Sequence, residues 1–163
     1  MSRLRSATLL HEGGTRFVAT TGSARTIVYG DAFDRNELSP VETLVVSLAA
    51  CSAMDVIAIA AKKRQVIDRY VVNVEAEQRD EYPQVLTRVR VVHEVEGPGV
   101  EEAAIRRAIE LSATRYCPVN AMISAGATEV HHAYRVIRTG EGGFDEAGEV
   151  VVTGPYRRPD VIR

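Results

Sequence analysis

From Thr43 to Ala61 the sequence TLVVSLAACSAMDVIAIAA carries a single charge, Asp55. A run of this length and apolarity folds in one of two ways, as a bilayer span or as a helix buried by protein. Thr43, Ser47, Ser52, Asp55 and the abundance of alanine make it a poor membrane segment, so a buried helix and no membrane are expected. With 163 residues the chain supports one domain with a real core, yet one small domain does not readily surround a helix of about five turns. A second subunit is therefore expected to complete its cover, which favours an intimate homodimer.

The flanks fix this helix. Ser39 stands at the N-cap position, Pro40 at the first helical position and Glu42 in the first turn; Lys62, Lys63 and Arg64 supply the charge preferred at a C-terminus. Before it, Ser6 to Leu10, Arg16 to Thr20 and Thr26 to Tyr29 read as short strands of an antiparallel meander, separated by Gly13-Gly14 and Gly22-Ser23. After it, Tyr70 to Gln78 and Leu86 to Glu96 read as paired strands. A second helix is predicted from Val100 to about Thr114, with Ala104, Ile105, Ala108, Ile109 and Leu111 on its apolar face. A short third helix starts at Pro118, and Glu129 to Arg138 returns as a strand. These segments give a principal domain over 1–138. The glycine-rich, acidic stretch from Thr139 and the closing run to Arg163 read as a C-terminal extension, 139–163, partly ordered or mobile, with Val150 to Val152 its only strand signal.

Charge and cysteine usage exclude several functions. A net charge of −2 with interspersed acids and bases offers no basic field for a phosphate backbone, so nucleic acid is not an expected partner. The chain has two cysteines, too few for a secreted disulfide framework, and its N-terminus lacks the apolar run of a signal peptide. A cytoplasmic, reducing location is expected. His131 and His132 are adjacent on a strand and point to opposite faces, while His11 and His93 are isolated. No spacing resembles a ligand set, so no metal is expected. Gly-rich phosphate loops, nucleophilic serine motifs and dinucleotide fingerprints are also lacking, and no bound cofactor is expected.

The cysteines are the candidate chemistry. Thr43, Ser47, Cys51 and Asp55 recur every four residues and form one polar stripe on the apolar helix. The plain alternative for Cys51 is a small buried hydrophobe. Cys117 precedes Pro118 and sits at or beside a helix N-cap, where unpaired N–H groups lower a thiol pKa. Arg115 adds to that effect if it points inward, or is simply solvated; Asn120 and Tyr116 are possible hydrogen-bonding neighbours.

The segments SPVETLVVSLAACSAMDVIAIAAKK and LSATRYCPVNAMISAGATEVHHAY resemble the OsmC/Ohr family, the osmotically inducible and organic hydroperoxide resistance proteins. The resemblance runs from about Arg5 to Arg138. It implies an α+β fold of antiparallel sheets wrapped around long central helices in an intertwined homodimer. It further implies a thiol-dependent peroxidase that reduces organic hydroperoxides. Cys51 would be the nucleophile that becomes a sulfenic acid, Cys117 the resolving thiol, and an external dithiol or lipoyl-bearing protein the reductant. Family enzymes pair an arginine with a glutamate directly after the proline. Here that position is Val41, with Glu42 one residue later and about 100° around the helix. Glu42 and Arg16 are the candidates for this pair, and the departure resembles a less characterised OsmC-like branch. The alternative function is a non-catalytic binding module for an apolar or thiol-bearing small molecule in the dimer cleft. A third is a structural stress protein with inert cysteines.

Overall fold

The computed structural model describes residues 4–30 and 37–154. The chain divides into two compact units, Met1–Leu44 and Val45–Arg163. In the first, β1 (Ala7–Gly13), β2 (Arg16–Thr21) and β3 (Thr26–Tyr29) form the expected antiparallel meander in the order β1-β2-β3. The β1–β2 turn requires a left-handed backbone at Gly13 and Gly14, with φ of 116° and 54°, a conformation that glycine adopts without steric cost.

Helix α1 (Pro40–Lys62) starts on a closed capping box. The Ser39 hydroxyl accepts the Glu42 N–H at 3.1 Å, and the Glu42 carboxylate accepts the Ser39 N–H at 2.8 Å. Its far end closes with Arg64 in the left-handed region, φ 57°. There the Gln65 N–H reaches the Ala60 carbonyl and the Arg64 N–H reaches that of Ala61, the double bond that satisfies terminal carbonyls.

In the second unit, β4 (Arg69–Gln78), β5 (Leu86–Gly97), β6 (Glu129–Arg138) and β7 (Phe144–Thr153) form one sheet in that order. Helix α2 (Glu102–Leu111), a π turn (Ser112–Tyr116) and helix α3 (Pro118–Ser124) connect β5 to β6. An αα crossover returns the chain to the same end of the sheet, so β5 and β6 pair in parallel while the other two pairs are antiparallel. The sheets are thus antiparallel except at this pair. The strand at Val150 to Val152 extends back to Phe144 as the edge partner of β6, across the turn at Gly140 to Gly143. Residues 155–163 of the C-terminal extension lie outside the described residues.

The core of the second unit is Val56 and Ala60 of α1, Val95 and Val100, Ile105, Ala108 and Ile109 of α2, and Val136 of β6. The apolar face expected for α2 is this core face. Within this one chain helix α1 is covered along one side. It buries one stripe, Leu48, Ser52, Val56 and Ala60. On other sides Val46, Met54 and Ile57 are 58%, 71% and 41% exposed.

Polar groups thread this core. Tyr70, His93 and His132 stack across β4, β5 and β6, with ring centroids 6.0 and 6.1 Å apart. Tyr70 Oη lies 2.7 Å from His93 Nδ1, and His93 Nε2 lies 3.3 Å from Ser52 Oγ. Ser112 Oγ is 3.3 Å from Ser52 Oγ and 3.0 Å from Asp55 Oδ2. Ser112 Oγ is the donor toward both, with one hydroxyl proton to share between them. The contacts of His93 with Ser52 and Tyr70 take their direction from the tautomer of its ring. Through His93, Ser52 and Ser112 these contacts link Tyr70 to Asp55. His132 Nε2–H donates to Asn120 Oδ1 at 3.0 Å, leaving its Nδ1 lone pair buried without a partner.

Burial, reinforced by the neighbouring imidazoles, lowers His93 to about 3 and His132 to about 4. Both rings are neutral inside the fold. In the unfolded chain they take up protons near pH 6.5, so stability is fully present above that value. It is lost as pH falls toward the folded values, by about 1.4 kcal/mol per pH unit for each ring that protonates only in the unfolded state. Urea unfolding between pH 7 and pH 4 should reveal this slope, and imidazole NMR signals of His93 and His132 should not titrate between pH 7 and pH 5. Ile105, with no exposed surface at the centre of the core, makes the corresponding packing test. Ile105→Ala should lower unfolding free energy by about 2–5 kcal/mol in the same urea experiment.

Candidate active site

Cys51 and Asp55 are one helical turn apart, so both project from the same side of α1, next to its buried stripe. The π turn after α2 brings the other half of the site. Its wide hydrogen bond, from the Cys117 N–H to the Ser112 carbonyl at 2.9 Å, ends the helical path at Cys117. Cys117 is then the N-cap of α3, with Pro118 in the first turn, as the sequence indicates. The result is a cluster in which Cys51 Sγ, Cys117 Sγ and an Asp55 carboxylate oxygen lie within 4.8 Å of one another. Both cysteines are free; Cys51 is partly exposed and Cys117 is buried. The fold therefore brings the two predicted thiols together.

The Cys117 sulfur accepts the Asn120 N–H at 3.3 Å. That cap favours a thiolate, and the sequence alone suggests a lowered pKa. The structure reverses this expectation: burial, followed by the Cys51 sulfur beside it, pushes the Cys117 thiol up to about 12 against the helix N–H groups. Cys117 is thus held as a protonated thiol at neutral pH. Arg115 does not turn inward; it is exposed and lies over the Tyr116 ring, 5.5 Å from its centroid. The Asn120 side chain bonds to the Ala113 carbonyl, Thr153 and His132, and only its backbone N–H serves Cys117.

Arg16 and Glu42 both belong to the N-terminal unit. Arg16 on β2 pairs with Glu12 at 3.0 Å and with Glu37. The Glu42 carboxylate is occupied by the Ser39 N–H, which holds it below the usual carboxylate pKa. In this unit the arginine's carboxylate partner on the approach to α1 is Glu37, which precedes Pro40, rather than Glu42.

Asp55 is on the polar stripe of α1, but no sequence pattern assigns it a site role. The signal was present: a lone charge in an apolar run needs a partner, and this one sits one turn beyond Cys51. Ser112 and the buried His93 carried no such local signal, because their partners come from distant segments. A cavity of about 400 Å³ opens beside Asp55, lined by Ala58, Ile59, Lys62, Leu111 and Tyr116. His131 and His132 do face opposite ways: His131 pairs with Glu129 at 2.8 Å near the surface, and His132 is fully buried.

The chain is similar to known proteins in sequence and fold. Residues 33–132 match the family model for OsmC-like protein. Protein YhfA of Escherichia coli (strain K12) is 32% identical over 124 residues, covering 76% of this chain and 92% of YhfA. The crystal structure of a hypothetical protein from Aquifex aeolicus VF5 superposes with a TM-score of 0.74 at 26% identity, covering 85% of this chain and 100% of that one. An organic hydroperoxide resistance protein OsmC from Legionella pneumophila shares the fold at a TM-score of 0.61 and 14% identity, covering 83% of this chain and 98% of that one. By sequence match, by identity to YhfA and by fold, the chain belongs to the OsmC-like protein family.

Proposed function

We propose that this protein is a thiol-dependent peroxidase that reduces organic hydroperoxides. The observation that carries the reading is the pairing of a partly exposed Cys51 with a buried, protonated Cys117, their sulfurs within 4.8 Å. Cys51 passes its thiol proton to the adjacent Asp55 carboxylate and attacks the terminal peroxide oxygen. The O–O bond breaks, Cys51 becomes a sulfenic acid, and the departing alkoxide takes the proton back to leave as an alcohol. The Cys117 thiol then displaces the sulfenic hydroxyl as water, forming the Cys51–Cys117 disulfide. The sulfurs close by less than about 3 Å to reach a bond of about 2.05 Å. A small dithiol or a lipoyl-bearing protein reduces the disulfide, so the cycle belongs in a reducing compartment such as the cytoplasm.

The cavity beside Asp55 supports an organic rather than a bare peroxide, because Ala58, Ile59 and Leu111 supply apolar walls. Arg16 enters the proposal as the candidate cation, carrying Glu37 as its carboxylate partner, and Glu42 as the residue that fixes the start of α1.

A homodimer completes the reading. The exposed Val46, Met54 and Ile57 of α1, with a groove lined by Ala49, Ala50, Ala53, Tyr70, Val72 and Val74, form an apolar face that a second copy covers. Light scattering should give about twice the 17.8 kDa chain mass; Met54→Glu should convert the dimer to monomer, and a monomeric wild type would refute this part.

For the chemistry, purified protein should consume cumene hydroperoxide with a dithiol reductant. Cys51→Ser should abolish turnover, a loss of at least about 10³-fold, whereas Cys117→Ser should halt after one turnover with a sulfenic acid trapped on Cys51. Mass spectrometry of the wild type after one equivalent of peroxide should show the loss of two hydrogens, mapped to a Cys51–Cys117 bridge. Unreacted thiols under these conditions would instead favour a binding module.

A further inference from the structure

The cluster at the head of α3 offers more than two sulfurs. Asp55 contributes a carboxylate oxygen within 4.8 Å of both Sγ atoms, and the three groups converge from one turn of α1 and the cap of α3. Paired thiolates with a carboxylate suit a borderline-soft cation such as zinc and disfavour magnesium or calcium, which seek all-oxygen sites. Tetrahedral zinc holds sulfur at about 2.3 Å, which puts two ligating sulfurs about 3.8 Å apart. Closing the present cluster onto an ion thus needs shifts of about 1 Å or less.

The outer partners are already in place. Ser112 donates to Asp55 Oδ2 at 3.0 Å, fixing the carboxylate and leaving its other oxygen for a ligand. The Asn120 N–H donates to the Cys117 sulfur at 3.3 Å. Such outer hydrogen bonds orient metal ligands and raise affinity. Charge points the same way: among the described residues no lysine, arginine or histidine forms a salt bridge with Asp55. The Asp55 carboxylate thus has no cationic side chain paired with it, and a divalent ion would supply that charge.

We propose that Cys51, Asp55 and Cys117 form a three-ligand site for a zinc-class divalent cation, with the fourth position open to water. On binding, each thiol loses its proton to solvent and coordinates as a thiolate; no electrons move. A disulfide consumes both sulfurs, so the metal-bound and oxidised forms exclude each other, and the cation guards the reduced pair. The inference rests on the cluster geometry and stands apart from the peroxidase reading.

The test is titration of reduced, metal-free protein with Zn²⁺ by calorimetry, and with Co²⁺ by absorption spectroscopy under nitrogen. One equivalent of Co²⁺ should bind and produce thiolate-to-metal charge-transfer bands with the visible pattern of a tetrahedral ion. Zn²⁺ should protect both thiols from DTNB, and calorimetry in buffers of different ionisation enthalpy should show proton release on binding. Asp55→Asn should weaken Zn²⁺ binding by at least about tenfold, and Ser112→Ala by about tenfold. Diamide-oxidised protein should bind none. The proposal is overturned if the reduced wild type binds no Co²⁺ or shows no thiolate bands. It is equally overturned if Asp55→Asn, with an unchanged circular dichroism spectrum, binds Zn²⁺ as tightly as wild type. The spectroscopic and proton-release measurements on wild type require no variant to fold.

Discussion

The packing of the Ser52, Val56 and Ala60 stripe of α1 onto α2 and the inner face of the sheet is the constraint on which the second unit depends. Alanine at position 60 and serine at position 52 allow close approach, while Val56 fills the space among Val95, Ile105 and Val136. Once that stripe is seated, helical geometry fixes the neighbouring positions. Cys51 and Asp55 must then emerge beside the end of α2, where the π turn delivers Ser112 and Cys117. Misplacing the stripe by one residue would rotate the whole cluster by about 100°.

The same packing explains why polar groups populate an apolar core. Ser52 on the buried face meets Ser112 and His93, and their hydrogen bonds continue from Tyr70 to Asp55. A buried hydroxyl or imidazole without partners is costly, so each group in this chain requires the next. Neutral histidines keep the interior free of unpaired charge, leaving Asp55 as the ionisable terminus of the chain. The buried network therefore holds the acid that lies beside both sulfurs. Electrostatics then divides the thiols: Cys117 is buried and kept protonated, while Cys51 remains open to approach.

Several elements were legible from local signals. Ser39, Pro40 and Glu42 marked the start of α1, the Gly13-Gly14 pair marked the first hairpin, and Pro118 marked the cap that Cys117 occupies. Each signal acts through backbone chemistry within a few residues, which is why it can be read without a fold. The extent of β7 was less visible, because Asp145, Glu146 and Gly148 are weak strand formers and become a strand through pairing with β6. The parallel β5–β6 pair likewise depends on where the α2–α3 crossover returns, a property of chain path rather than composition.

By itself, the sequence determined that a long apolar helix starts at Pro40, that two cysteines stand in helix-adjacent settings, and that one of them caps a helix. Backbone preferences and hydrophobic periodicity are local, and they suffice for those conclusions. Only the tertiary structure decided that the two sulfurs meet, that Asp55 joins them, and that the Cys117 thiol is raised rather than lowered. Those outcomes depend on segments more than fifty residues apart, through burial and through charges and hydrogen bonds supplied by other elements. The helix cap at Cys117 favours a thiolate, but desolvation and the Cys51 sulfur outweigh it, and neither can be read until the chain has folded.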